Sequence, residues 1–314
     1  PPHRVAANST PATMTALDLS GTYPAMTTPF DGDGRIDHDQ LAADARRLEP
    51  HVDGLVPVGS TGESATLGHD EHVDVVETVV DAVDVPVIAG SGSNNTREAL
   101  NLSQRAAAAG ADALLLISPY YNRPEPDGML EHYRTVADGV DLPQIVYNVP
   151  GRTGRNVEAE TVAKLAGHRN VAGYKAASGD LGRVSEVVER TRDEEFAVLA
   201  GDDGLTLPVL SVGGVGTISV AANVEPARTA AMVNAALTGD YERAREVHHR
   251  LGPLFRALFA ESNPIPVKEA MAIRDYGPAR LRPPLSRAAE KTVERLRTVL
   301  TALDEADDDV EIEA

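Results

Sequence analysis

The chain has 314 residues, 42% hydrophobic but only 4% aromatic and without tryptophan, enough for one α/β domain of roughly 250 residues and an appendage around a Val/Ala/Leu/Ile core. A net charge of −19 repels phosphates and anionic lipids, which excludes nucleic acid and membrane surfaces as partners. Cysteine is absent, which excludes disulfides, thiolate metal sites and cysteine nucleophiles. No stretch of 18 apolar residues offers a membrane span, and the N-terminus lacks the apolar segment of a secretory signal, so a cytoplasmic location is the default. The acids are spread over the whole chain and lysine is nearly absent, which favours a salt-adapted, solvated surface over a docking face for basic partners.

Residues 1–19 are polar and aperiodic and read as a disordered leader, with Met14 a candidate start. Apolar runs then alternate with helical patterns. The runs are Tyr23–Thr27, Gly54–Val58, Pro86–Ala89, Ala113–Ile117, Gln144–Val149, Val171–Lys175, Ala197–Ala200 and Gly216–Ser219. The helical patterns that follow them begin at Asp37, His69, Thr96, Met129, Val157, Leu181, Leu205 and Pro226. The runs are short and continuous rather than alternating, as in parallel strands buried on both faces. Capping residues such as Asp37 and Thr96 open helices, and Gly110 and Gly239 close them. Eight such units over residues 20–239 predict an α/β fold, a (β/α)8 TIM barrel. An open doubly wound sheet is disfavoured because the glycine-rich dinucleotide fingerprint is missing after the first run, and Gly90-Ser91-Gly92 is too weak to replace it. Residues 240–303 carry helical patterns only (Tyr241–Phe259, Pro266–Arg274, Leu285–Leu303) and read as a C-terminal helical region. Residues 304–314 read as an acidic disordered tail.

Lysine is scarce: Lys164, Lys175, Lys268 and Lys291 are the only four, so 25 of the 29 basic residues are arginine. Lys175 closes the sixth run in Val171-Ala172-Gly173-Tyr174-Lys175-Ala176-Ala177-Ser178-Gly179. Arginine cannot lose its proton near neutral pH. Lysine can, once burial penalises the ammonium, and the free amine then attacks a keto carbon to form a Schiff base. A lysine at a strand end in water is the competing reading. In a barrel the chemistry gathers at the C-terminal strand ends. After the second run, Gly59-Ser60-Thr61-Gly62-Glu63-Ser64 offers backbone amides and hydroxyls suited to a carboxylate, or only a capped turn. Ser118-Pro119-Tyr120-Tyr121-Asn122 follows the fourth run, and Tyr147-Asn148-Val149-Pro150-Gly151-Arg152-Thr153-Gly154 ends the fifth. Three of eight tyrosines thus fall at strand ends, where a phenol can shuttle protons or simply line a rim. Arg152 offers a planar fork to a carboxylate, or a surface ion pair to one of many acids.

These motifs, with Pro119-Tyr120-Tyr121-Asn122-Arg123-Pro124, Gly201-Asp202-Asp203 and Asn263-Pro264-Ile265-Pro266-Val267-Lys268, resemble those of the pyruvate-dependent Schiff-base aldolases over about Gly21 to Leu300. The resemblance implies a class I lyase that condenses pyruvate with L-aspartate 4-semialdehyde on the way to diaminopimelate and lysine, with no metal or organic cofactor. It implies that Lys175 captures pyruvate and that Tyr147 is the general acid/base. Ser60 and Tyr121 would complete a hydroxyl relay, Tyr121 from a neighbouring subunit of a homotetramer, a dimer of dimers. Thr61, Ile218 through its carbonyl, and Gly201 would bind substrate, and Arg152 would hold the semialdehyde carboxylate. Ser64, Ala65, His69, His72, Asn94, Glu98 and Tyr120 resemble a feedback site for L-lysine. His69 and His72 are three apart and are expected to share a helix face. A metal reading of that pair lacks an evident carboxylate cluster, and a solvated helix face is the plain alternative. Two departures stand out. Ser60 replaces the usual threonine and loses the methyl that fixes its rotamer, which implies a slower relay. Tyr174 and Ala176 flank Lys175 where an aliphatic and an acid are common. A 2-keto-3-deoxy sugar acid aldolase or N-acetylneuraminate lyase is disfavoured by Arg152 and the lysine-site set. A non-enzymatic lysine-binding sensor is disfavoured because Lys175 and the hydroxyls are retained.

Overall fold

The computed structural model describes residues 17–311, with side chains to residue 305, so residues 1–16 of the leader expected over 1–19 and the last residues of the expected tail lie outside it. Seven strands form one sheet: β1 (Gly21–Pro24), β2 (Ile88–Gly90), β3 (Ala113–Ile117), β4 (Gln144–Asn148), β5 (Val171–Ala176), β6 (Ala197–Ala200) and β7 (Gly216–Ser219). Their order is β1-β7-β6-β5-β4-β3-β2, and every pair is parallel. The helices interleaved with them are α1 (His38–Leu48), α2 (His69–Val80), α3 (Thr96–Ala108), α4 (Pro126–Gly139), the short α5 (Pro150–Thr153), α6 (Ala159–Ala166), α7 (Leu181–Thr191), α8 (Thr206–Ser211) and α9 (Pro226–Leu237). Asp37, Asp180 and Asp240 accept hydrogen bonds from the first-turn amides that follow them, which satisfies donors a helix leaves open. At α3 the cap is Asn95 rather than Thr96, which is already helical.

Successive strand residues feed two apolar layers. Ala113 and Leu115, Ile145 and Tyr147, Tyr23, Leu199 and Ile218 pack in a layer built almost wholly by strands. Leu114, Leu116, Val146, Tyr174 and Val198 pack outward against the helices. Period-two alternation with both faces apolar is why the sequence shows continuous runs. Leu17 and Leu19, assigned above to the leader, pack in the strand layer.

The strand expected over Gly54–Val58 is reduced to two parallel bridges, Ala25 with Val56 and Leu55 with Val87. Pro57 lacks an amide donor and Val58 turns to φ 51°, so extended pairing stops after two residues. Those two residues still bond on both sides: Val56 N donates to the Pro24 carbonyl at 2.9 Å and Leu55 N to the Pro86 carbonyl at 2.8 Å. The segment thereby bridges the two edges of the sheet. Gly90 owes its place to this crowding, since a Cβ there would lie 2.5 Å from the Val58 carbonyl oxygen; Gly92 is hemmed in by β3 instead, where a Cβ would lie 2.4 Å from the Ile117 amide.

Beyond the sheet lie α10 (Tyr241–Leu258), α11 (Ile265–Ile273) and α12 (Glu290–Glu311), which form a third apolar cluster with α9. Helix α12 continues to Glu311, through the stretch expected as a disordered tail from Asp304. Leu303 is buried and Asp304 pairs with Arg274 at 2.7 Å, which holds the turn where the tail was expected to leave the fold. Among the described residues no helix is long and apolar enough to cross a membrane.

Candidate active site

Lys175 sits one residue before the end of β5, in register with Tyr147 on β4 and Leu199 on β6. Residues at the same register of adjacent parallel strands project to one face, and Tyr147 and Leu199 belong to the inner layer. The Lys175 Nζ lies 4.2 Å from the centroid of the Tyr147 ring. Lys175 is 5% exposed and Tyr147 7%. Burial pulls the ammonium down to about 7, the Asp203 carboxylate working against that and Arg152 with it. Burial also pushes the Tyr147 phenol above its ordinary range, opposed by Arg152 and a hydrogen bond with Ser60. A primary amine that loses its proton near neutrality beside a phenol is a nucleophile with a proton relay at hand. The solvent-exposed strand-end lysine is thereby excluded.

Three neighbours shape this amine. Gly201 follows β6, and a Cβ there would stand 2.8 Å from Lys175 Cε and 3.0 Å from its Cγ, so only glycine leaves the side chain its room. Asp203 is buried, and its carboxylate accepts from the Ser219 hydroxyl and from the Val220 and Ala221 amides at 3.1 and 3.0 Å. Burial pushes its pKa up to about 6. The sequence gives Asp203 no role of its own beyond its place in the Gly201-Asp202-Asp203 motif. Ile218 lies on β7 in the inner layer, in register with Tyr23.

The 59–64 loop is a closed turn. The amides of Gly62 and Ser64 donate to the Gly59 carbonyl, and that of Glu63 to the Ser60 carbonyl. Val58 and Glu63 bracket it in left-handed conformations, φ 51° and 54°, a costly geometry for a β-branched residue. Thr61 Oγ1 accepts from Asn263 Nδ2 at 2.8 Å, and the Asn263 carbonyl accepts from Arg152 Nη2 at 2.7 Å. Asn263, which the sequence pattern gives no role, thus joins the Thr61 hydroxyl to the guanidinium on α5.

Tyr121 stands apart. Its φ is +70° and its side chain is 92% exposed, so it does not reach the buried Lys175–Tyr147 pair within one chain. Tyr174 and Ala176 do not line the site, because both face the outer layer. The Tyr174 hydroxyl accepts from Asn148 Nδ2 at 2.8 Å.

The residues resembling a lysine site are only partly gathered. His69 Nε2 lies 2.8 Å from Glu98 Oε1, and the other Glu98 oxygen accepts from Ser93. The Asn94 carbonyl accepts from Asn122 Nδ2 at 2.9 Å, tying it to the loop of Tyr120 and Tyr121. Ser64 and Ala65 form the 3₁₀ turn before α2. His72 does not share an open face with His69: it is buried, with Nε2 2.6 Å from the Gly90 carbonyl, and burial lowers its pKa. It is a core imidazole joining α2 to β2. Among the described residues no group of three or more His, Cys, Asp or Glu is arranged to hold a metal.

The model of the dihydrodipicolinate synthetase family matches residues 18–303. A 4-hydroxy-tetrahydrodipicolinate synthase from Haloarcula marismortui is 68% identical over 296 residues, covering 94% of this chain and 97% of the relative. The 4-hydroxy-tetrahydrodipicolinate synthase of Methylacidiphilum fumariolicum SolV superposes with a TM-score of 0.91 at 41% identity, covering 94% of this chain and 99% of that one. A DHDPS from Cyanidioschyzon merolae with lysine bound gives 0.87 at 37% identity, covering 91% and 98%.

Proposed function

The chain belongs to the dihydrodipicolinate synthetase family, and from that premise we propose that it condenses pyruvate with L-aspartate 4-semialdehyde to 4-hydroxy-tetrahydrodipicolinate through a Schiff base on Lys175. The observation that carries this reading is the buried Lys175 amine, in register with the Tyr147 phenol and 4.2 Å from its ring. The neutral amine adds to the keto carbon of pyruvate, and loss of water leaves an imine. Tyr147 and Ser60 carry protons to and from the departing oxygen. Removal of a methyl proton gives an enamine, which attacks the aldehyde carbon. The amino group of the semialdehyde then adds to the imine carbon, closes the ring and expels Lys175. Thr61, Gly201 and the Ile218 carbonyl hold pyruvate, and Arg152 pairs with the second carboxylate. Lys175 is the covalent carrier, so the reaction needs no metal or organic cofactor.

The exposure of Tyr121 supports its working in trans: a left-handed aromatic, 92% exposed, is available to a neighbouring chain of the homotetramer we propose. A closed (β/α)8 barrel is supported by the two bridges at Leu55 and Val56. The lysine-bound relative, with the His69–Glu98 pair here, supports feedback inhibition by L-lysine, with Glu98 as the acceptor for an ammonium.

The test is borohydride trapping with pyruvate in concentrated KCl, followed by peptide mapping. The adduct is expected on Lys175, with none in Lys175→Arg. Product should form with aspartate semialdehyde and not with glyceraldehyde, and millimolar lysine should slow it. An unlabelled Lys175, or turnover of glyceraldehyde alone, overturns the assignment.

A further inference from the structure

The scarcity of lysine that singles out Lys175 applies to a second residue. Of the four lysines, Lys164 and Lys291 are exposed, whereas Lys175 and Lys268 are 5% and 4% exposed. Lys268, on α11, spends its three N–H donors on the Glu63 carboxylate, the Thr28 carbonyl at 2.6 Å and the Arg280 carbonyl at 2.7 Å. Three acceptors around a point suit a compact ammonium and not a planar guanidinium, which explains lysine here in an arginine-rich chain. The other Glu63 oxygen accepts from the Arg282 amide at 3.0 Å, and no part of the Glu63 side chain is exposed.

Glu63 closes the loop that carries Ser60 and Thr61. Its own amide is bonded to the Ser60 carbonyl and its backbone is left-handed at φ 54°, a conformation that persists only when the surroundings fix it. Thr28, whose carbonyl Lys268 grips, donates its hydroxyl to the Gly62 carbonyl of the same loop at 2.7 Å. We propose that the buried Glu63–Lys268 pair is a positioning device: it clamps the 59–63 turn from behind so that the Ser60 hydroxyl meets Tyr147 and the Thr61 hydroxyl faces the pyruvate carboxylate. Neither residue touches substrate. The inference rests on the proposed synthase reaction.

The test compares Glu63→Gln with the unaltered enzyme, alone and in a Ser60→Ala background. Glutamine keeps the shape but turns one acceptor into a donor facing the Arg282 amide, so the turn must shift. Misplacement of reacting groups on the scale of an ångström costs up to a hundredfold. Glu63→Gln is expected to lower kcat about tenfold or more and to raise the KM for pyruvate. The KM for aspartate semialdehyde should change less, because the turn reaches Arg152 only indirectly, through the Asn263 side chain, while the guanidinium is held by the Asn263 backbone carbonyl. In the Ser60→Ala background the kcat effect should largely vanish, since the hydroxyl it positions is gone. Native kinetics for Glu63→Gln, or the same loss of kcat in both backgrounds, overturns the proposal. Should Glu63→Gln fail to fold, Thr28→Val removes only the hydroxyl bond to Gly62 and is read by the same two criteria. If the unaltered enzyme traps no pyruvate, it is the synthase reading that falls.

Discussion

Lys175 and Asp203 are both buried at the heart of the site, and the Asp203 carboxylate acts on the amine. With Lys175 near 7 in the folded chain against an ordinary 10.5, the folded state binds fewer protons than the unfolded one between those limits. Stability from this residue therefore rises with pH across that window. The rate of pyruvate trapping should climb through about pH 7 and then level. Because the Asp203 carboxylate favours the ammonium, Asp203→Asn should move this limb to lower pH in stopped trapping assays; an unmoved limb would show that the carboxylate does not act on the amine. Gly201→Ala places a Cβ 2.8 Å from Lys175 Cε. It is expected to displace the amine and cut kcat by roughly a hundredfold, at a stability cost of ~1–3 kcal/mol, measured by steady-state kinetics and denaturant unfolding on the same sample.

Strand ends and loops, rather than element interiors, separate what the residues announce from what they conceal. The run at Gly54–Val58 looks like its seven neighbours, yet Pro57 and the left-handed Val58 leave only two bridged residues. His69 and His72 look equivalent at helical spacing, yet one meets Glu98 at the surface and the other a backbone carbonyl in the core. Helix spacing alone cannot tell which side of a face is covered. The continuation of α12 past Leu303 depends on Arg274, which bonds both Asp304 oxygens at 2.7 and 2.8 Å and reaches Glu225 across the appendage. Glu225 is nearly buried. Arg274→Ala should therefore cost ~2 kcal/mol, between a surface and a buried pair, and lower the calorimetric Tm by several degrees.

At the scale of the molecule, charge dominates. A net −19 sets up self-repulsion that salt screens over a few ångströms at molar concentrations. Raising KCl from 0.1 to 3 M is expected to raise Tm by about 5 °C or more, read by scanning calorimetry; a Tm that falls with salt would contradict a salt-adapted surface. The exposed Tyr121 also belongs to this scale, because its proposed role needs more than one chain.

The order of apolar runs, their spacing and the glycine- and tyrosine-bearing strand ends were written in the chain, since parallel strands buried on both faces and tight turns each demand particular residue types locally. The singling out of Lys175 was equally legible, because only lysine among the basic residues can become a nucleophile. What folding alone decided is how far that amine is dried and what stands around it: Asp203, Asn263 and the Glu63–Lys268 clamp come from positions up to 205 residues apart. Burial, field and long-range hydrogen bonds have no local signature, and they turn a strand-end lysine into a candidate catalyst.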